Sequence, residues 1–173
     1  MNEVLKCLQE RRSCRSFRDE QLRKEDLDAI LTAGTYAASG MGKQAGRIVV
    51  LQKPEDIAEL ERMNGAVMGN PDAHPFYGAP TVCVVLADAD VFTAVEDGSL
   101  VIGNMMTAAW SLGVGACWIH RARQEFDSDE GKALLKKWGI EGNYIGVGHC
   151  ILGYPMGEFP PAAPRKGDFV TIV

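Results

Sequence analysis

The chain has no Gly-x-x-x-x-Gly-Lys-Ser/Thr loop, no Gly-x-Gly-x-x-Gly opening a helix after a strand, and no Cys-x-x-Cys pair. Without either glycine fingerprint, neither a P-loop nucleotide hydrolase nor a Rossmann dehydrogenase is supported. The three histidines, His74, His120 and His149, are scattered and lack metal-ligand spacing, so no metal site is expected. Positive charge is in deficit, with 18 Lys and Arg against 23 Asp and Glu for a net charge of −5. Nucleic acid or an anionic membrane surface would demand a basic face, so neither is expected as the main partner. No apolar leader with a small-residue cleavage site opens the sequence, and the five cysteines form an odd set. A reducing, cytoplasmic location is expected.

Cys83, Cys117 and Cys150 sit in apolar runs and read as small core side chains. Cys14 differs in lying among arginines that would lower a thiol pKa, although a catalytic thiol is not expected there. No repeat, linker or low-complexity stretch divides the chain. Its 173 residues, 46% hydrophobic, suit one domain over residues 1–173. Ser99 to Ile119 carries no charge and is long enough to invite a transmembrane reading. Asn104, Thr107, Ser111 and the Gly113-Val114-Gly115 break argue instead for a buried helix followed by a strand.

Apolar spacing predicts a first helix over about Glu3–Glu10, with Val4, Cys7 and Leu8 on its inner face. A second is predicted over about Lys24–Ala37, burying Leu27, Ile30, Leu31 and Gly34. Arg47–Gln52 reads as a strand, Pro54–Met68 as a helix with proline in its first turn, and Ala79–Ala87 as a strongly apolar strand. Phe92–Leu112 is apolar nearly all round, which predicts burial on several sides. Either it is a central core helix of one chain, or it lies in a dimer interface where Gly103, Ala108 and Ala109 permit close approach. Gly115–His120 is a third strand, Asp129–Trp138 a helix capped by Ser128 or Asp127, and Tyr144–Gly153 a fourth strand. A proline-rich stretch then leads to a closing strand, Phe169–Val173.

The chemistry is expected in Arg11-Arg12-Ser13-Cys14-Arg15-Ser16-Phe17-Arg18, which holds four arginines and no carboxylate. Cations at a helix C-terminus offset its dipole and cap free carbonyls, which accounts for Arg11 and Arg12. Arg15 and Arg18, following at once in an acidic chain, point further, to an anion such as a phosphate. The loop Ser39-Gly40-Met41-Gly42-Lys43-Gln44-Ala45-Gly46 adds three glycines whose N–H groups can approach a flat or anionic ligand. Residue types alone lead to a phosphate-bearing cofactor.

The order of these motifs resembles the nitroreductase family. Arg11-Arg12-Ser13-Cys14-Arg15-Ser16-Phe17 is similar to its N-terminal Arg-Arg-Ser-x-Arg-x-Phe signature, and Ala37-Ala38-Ser39-Gly40-Met41-Gly42-Lys43-Gln44 falls where it has a Pro-Ser-x-x-Asn-x-Gln loop. Pro75-Phe76-Tyr77-Gly78-Ala79-Pro80, Asp97 through Asn104 and Ala108, Gly113 through Cys117-Trp118-Ile119, and Gly153-Tyr154-Pro155 followed by Arg165-Lys166 continue the resemblance over nearly the whole chain. It implies an α+β sandwich with a mixed, mostly antiparallel sheet flanked by helices, and a homodimer whose C-terminal segments are exchanged. Two FMN molecules would lie at the interface, reduced by NADH or NADPH. Nitro compounds, quinones or related conjugated acceptors would then be reduced by a ping-pong hydride mechanism.

By the same resemblance, Arg11, Arg12 and Ser13 hold the phosphate and ribityl chain, helped by Arg165 and Lys166. Arg15 is the catalytic group, facing the pyrimidine edge of the flavin, and Cys117, Trp118 and Ile119 line the cofactor site. Ala38, Ser39, Gly40, Met41 and Gln44 contribute from the loop, with Ser39, Gly40 and Met41 coming from the other subunit. The loop departs from the family pattern at Ala38, Gly42 and Ala45-Gly46, which puts the pocket's selectivity in question and motivates an alternative, a flavin-binding or redox-sensing module with little turnover. A third reading treats the arginines as plain surface charge with no cofactor. His120, where the family commonly has glycine, is expected to be solvated rather than to line the pocket.

Overall fold

The computed structural model describes all residues 1–173. Its helices are α1 (Glu3–Glu10), α2 (Lys24–Thr35), α3 (Pro54–Val67), α4 (Ala94–Ser111), α5 (Ala122–Asp127) and α6 (Asp129–Lys137). Its strands are β1 (Gly46–Leu51), β2 (Thr81–Asp88), β3 (Gly115–Ile119) and β4 (Tyr144–Gly153). They form one antiparallel sheet in the order β1-β2-β4-β3. The parallel component expected of a mixed sheet is confined to one bridge, between Ser13 and Ala116.

Strand alternation divides the core into two. Val82, Val84 and Leu86 of β2 point to the side covered by α3, α5 and α6, whereas Cys83, Val85 and Ala87 point to the side of α2 and α4. Such two-sided cover explains why β2 reads as a continuous apolar run rather than an alternating one. In β4 a bulge lies where Val85 opposes Gly148 and Leu86 opposes Gly146. It shifts the phase, so Ile145 and Val147 share a face with Cys150 and Leu152. His149 is thereby turned to the opposite face, toward Phe76 and Phe126.

Three expectations change. The face of α1 formed by Val4 and Leu8 is exposed, and no residue of that helix is buried. Helix α4 buries Val101, Ile102, Met105 and Ala109, yet Val95 and Leu100 are exposed and a side chain at Gly103 would meet open space. Its covering within one chain is therefore one-sided. The segment Phe169–Val173 forms no strand and is exposed throughout. A strand needs an unpaired edge, and the tail leaves β4 beside β3, whose outer edge carries Ser13 and Cys14. No helix is long and apolar enough to cross a membrane.

Candidate active site

After α1 the chain runs extended along β3. Cys14 N–H donates to the Ala116 carbonyl at 2.9 Å, Arg18 N–H to Tyr154 at 2.9 Å, and Ser16 accepts from Met156 N–H at 3.0 Å. Cys14 and Phe17 are buried and anchor the segment, so the residues between them are fixed by backbone bonds and core packing. Burial also raises the Cys14 thiol pKa above its ordinary value, against the smaller effect of a hydrogen bond to Ser16. The neighbouring arginines, which suggested a lowered value, do not prevail because this side chain points into the core.

Arg11, Arg12 and Arg15 remain without carboxylate partners, whereas Arg18 pairs with Glu20 at 3.5 Å. Arg12 Nη1 donates to the carbonyls of Gln9 at 2.9 Å and Arg11 at 2.8 Å, which is the capping role expected at a helix end. Arg11 Nη1 and Arg12 Nε, however, are buried without any partner. Buried donors are normally satisfied, and guanidinium donors facing no acid suit an anion with several acceptor oxygens. A cofactor phosphate fits this donor set.

Arg15 borders two recesses. One, about 380 Å³, brings it together with Cys117, Trp118 and Ile119, so four of the sequence-predicted residues share one cleft. The other, about 250 Å³, joins it to Ser13 and the start of the C-terminal tail. Ala38, Ser39 and Gln44 line a third, of about 370 Å³, beside Asp97 and Val101. This glycine loop is closed by Gln44 N–H donating to Ser39 Oγ at 3.0 Å, with Met41 exposed and left-handed at φ 52°. It precedes β1, whereas the arginines flank the outer edge of β3, so loop and arginines lie at opposite edges of the sheet. Arg165 and Lys166 are exposed on the tail, with Arg165 bonded to its own Ala163 carbonyl. The chain alone does not bring them to the cluster.

Other residues were not singled out from sequence. Arg121 borders the Arg15 cleft beside His120, which is exposed as expected yet also faces the cleft. Asn64 is fully buried and accepts from Arg121 Nε at 2.9 Å. The basic pair at the end of an apolar strand was a usable signal for Arg121. Nothing local marks Asn64, which is 57 residues away.

An α+β fold with helices on both sheet faces, and unpaired arginines beside an aromatic-lined cleft, defines a binder of a planar, phosphate-bearing ligand. The chain belongs to the nitroreductase family, whose model matches residues 8–154. A Bacteroides fragilis nitroreductase solved with bound FMN is 32% identical, with a TM-score of 0.91 and coverage of 100% of each chain. A Desulfitobacterium hafniense nitroreductase, also with bound FMN, is 31% identical with a TM-score of 0.85, over 100% of this chain and 99% of that one. A protein of Archaeoglobus fulgidus provisionally named NADH dehydrogenase/NAD(P)H nitroreductase is 30% identical over 162 residues, covering 91% of this chain and 88% of its own length.

Proposed function

We propose that residues 1–173 form one FMN-binding unit of a homodimeric oxidoreductase. It takes electrons from NADH or NADPH and reduces nitro compounds, quinones or related conjugated acceptors. The observation that carries this reading is the set of guanidinium groups of Arg11, Arg12 and Arg15, unpaired by acid, with two buried N–H donors left over. The FMN-bound relatives support it. Arg11, Arg12 and Ser13 bind the phosphate and its neighbouring hydroxyls, and Cys117–Ile119 form a wall of the ring site.

FMN, when bound, supplies the centre that accepts and returns hydride, so donor and acceptor use one pocket in turn. Arg15 contributes a positive charge where negative charge develops on reduction. That stabilises the reduced state more than the oxidised one.

Placement supports a second copy. Loop and arginines at opposite edges of one sheet can serve one ligand when the loop of one chain faces the arginines of another. The exposed apolar faces of α1 and α4 would then be covered, and the tail would add its apolar end to the partner's open β1 edge. It would also bring Arg165 and Lys166 to the phosphate.

The test is the visible spectrum of the purified protein before and after anaerobic NADH and NADPH, with the released cofactor identified. Yellow protein carrying FMN and bleached by either nucleotide supports the reading. Yellow protein that resists both leaves a flavin-holding module, and failure to bind added FMN removes the cofactor assignment.

A further inference from the structure

We infer that the cleft beside Arg15 selects an anionic acceptor, a conjugated ring bearing a carboxylate or sulfonate, and that Arg121 with His120 recognises its charge. The inference rests on the flavin-reductase reading and names the substrate class for that site. Arg15, Arg121, His120 and His74 all line the cleft, and none of its lining residues is acidic. His74 is offset, since its Nδ1 lies 3.1 Å from the Glu61 carboxylate. Two guanidinium groups and one imidazole therefore face a cleft with no compensating charge in its wall.

Arg121 is not a freely moving surface side chain. Its Nε donates to Asn64 Oδ1 at 2.9 Å, while its terminal nitrogens have no protein partner. The same Asn64 donates through Nδ2 to the His120 carbonyl at 2.8 Å and to Glu125 Oε2 at 3.0 Å. Glu125 in turn lies 2.6 Å from His149 Nε2, and Asn64, Glu125 and His149 are all fully or nearly fully buried. One interior amide, itself oriented by a buried pair, thus fixes both the backbone of His120 and the guanidinium of Arg121. Arg121 is held left-handed, at φ 82°, a conformation that costs a non-glycine residue free energy and persists where surrounding structure enforces it.

Elsewhere the exposed arginines Arg18, Arg62 and Arg123 are paired with carboxylates. Arg121 is held by a neutral amide instead, which keeps its full charge available to a ligand. Tyr77 borders the same cleft and offers aromatic surface to a flat ring, while the Trp118 indole packs on the α4 face over Gly148. The combination selects a ring by stacking and an anionic substituent by its charge.

Binding is measured by calorimetry on FMN-loaded and FMN-free protein, with 4-nitrobenzoate and nitrobenzene as matched probes. Wild type is expected to bind the carboxylate probe about tenfold more tightly, with a preference that shrinks as salt is raised. Arg121→Gln loses the preference and Arg121→Lys retains part of it. His120→Gln, altered at an exposed side chain, reduces it by a smaller factor and decides the matter should the Arg121 variants misfold. FMN affinity, followed separately by flavin fluorescence, is expected to stay constant in Arg121→Gln. Equal binding of the two probes by wild type, an unchanged preference in folded variants, or an equal loss of FMN affinity would each overturn the inference. Absence of FMN binding by wild type would instead remove the reading beneath it, while probe binding to the FMN-free chain would still report on the cleft.

Discussion

Asp97 Oδ1 accepts the backbone N–H of Gly40 at 2.9 Å, joining the first turn of α4 to the glycine loop. Asp97 is buried, its other oxygen has no partner, and a side chain at Gly40 would collide with Thr93. The loop is therefore located by one charge-assisted bond and a close backbone approach. Asp97→Ala should remove about 1.5–3 kcal/mol of local stabilisation. Faster hydrogen exchange at the Gly40 amide and weaker FMN binding are expected, whereas Asp97→Asn, which keeps the acceptor, should retain most of both. Unchanged exchange in the alanine variant would show that the loop is held by other contacts.

Arg15 has no carboxylate partner and borders both recesses of the proposed flavin site. Its side chain is exposed, so Arg15→Ala should leave the fold and melting temperature nearly unchanged. Loss of a cation that favours the reduced state should lower the flavin midpoint potential. About 1.4 kcal/mol corresponds to 30 mV for a two-electron couple, and a charge-assisted contact of about 1.5–3 kcal/mol predicts a fall of roughly 30–65 mV. Stopped-flow reduction by NADH should slow in parallel. A potential and rate equal to wild type would exclude the assignment.

The parts of the fold that depend on local pattern were legible in the sequence. β4 matches its predicted span, Tyr144–Gly153, and Ser128 caps α6 by accepting from Gly131 N–H at 3.0 Å. α5 escaped notice because Ala122–Asp127 is short and its preceding residue, Arg121, offers no capping side chain. Phe169–Val173 has strand composition but stays unpaired, because the tail leaves β4 beside the edge that Ser13 and Cys14 occupy and the open β1 edge lies across the sheet. The Arg11–Arg15 cluster stood out because its charge excess is contiguous. Asp97 entered only as part of the family resemblance, and the Asn64–Arg121 bond joins residues that folding alone brings together.

Asp26 clamps the start of α2 to the end of β4. Its Oδ2 accepts from Tyr154 Oη at 2.7 Å and from Arg23 Nε at 3.0 Å. The Arg23 hydrogen bond, then that of Tyr154, holds the carboxyl below its ordinary value of 3.8 despite burial. A depressed folded pKa contributes stability that is complete above the unfolded value and is lost as pH falls through the folded one. Asp26→Asn should therefore be less stable than wild type at neutral pH. The gap should narrow as pH drops below 3.8. Melting curves across that range check this, and a gap independent of pH would count against it.

Cys83 and Cys150 face each other across β2 and β4, both fully buried and both free thiols. Burial pushes Cys83 up to about 12 and Cys150 well above the ordinary 9.0, the latter also through its thiol neighbours. The folded state then keeps its protons at pH values where the unfolded chain has released them. Stability conferred by a raised pKa is complete below the unfolded value and declines as pH climbs toward the folded one. Each thiol should remove about 1.4 kcal/mol per pH unit above pH 9. Cys83→Ala should cancel one of the two contributions, so wild type loses stability more steeply than the variant between pH 9 and 12. Other titrating groups are common to both proteins and cancel in the difference. Urea unfolding at successive pH values gives the two slopes directly. Parallel slopes would mean that the unfolded chain or water entry keeps the thiol's protonation the same in both states.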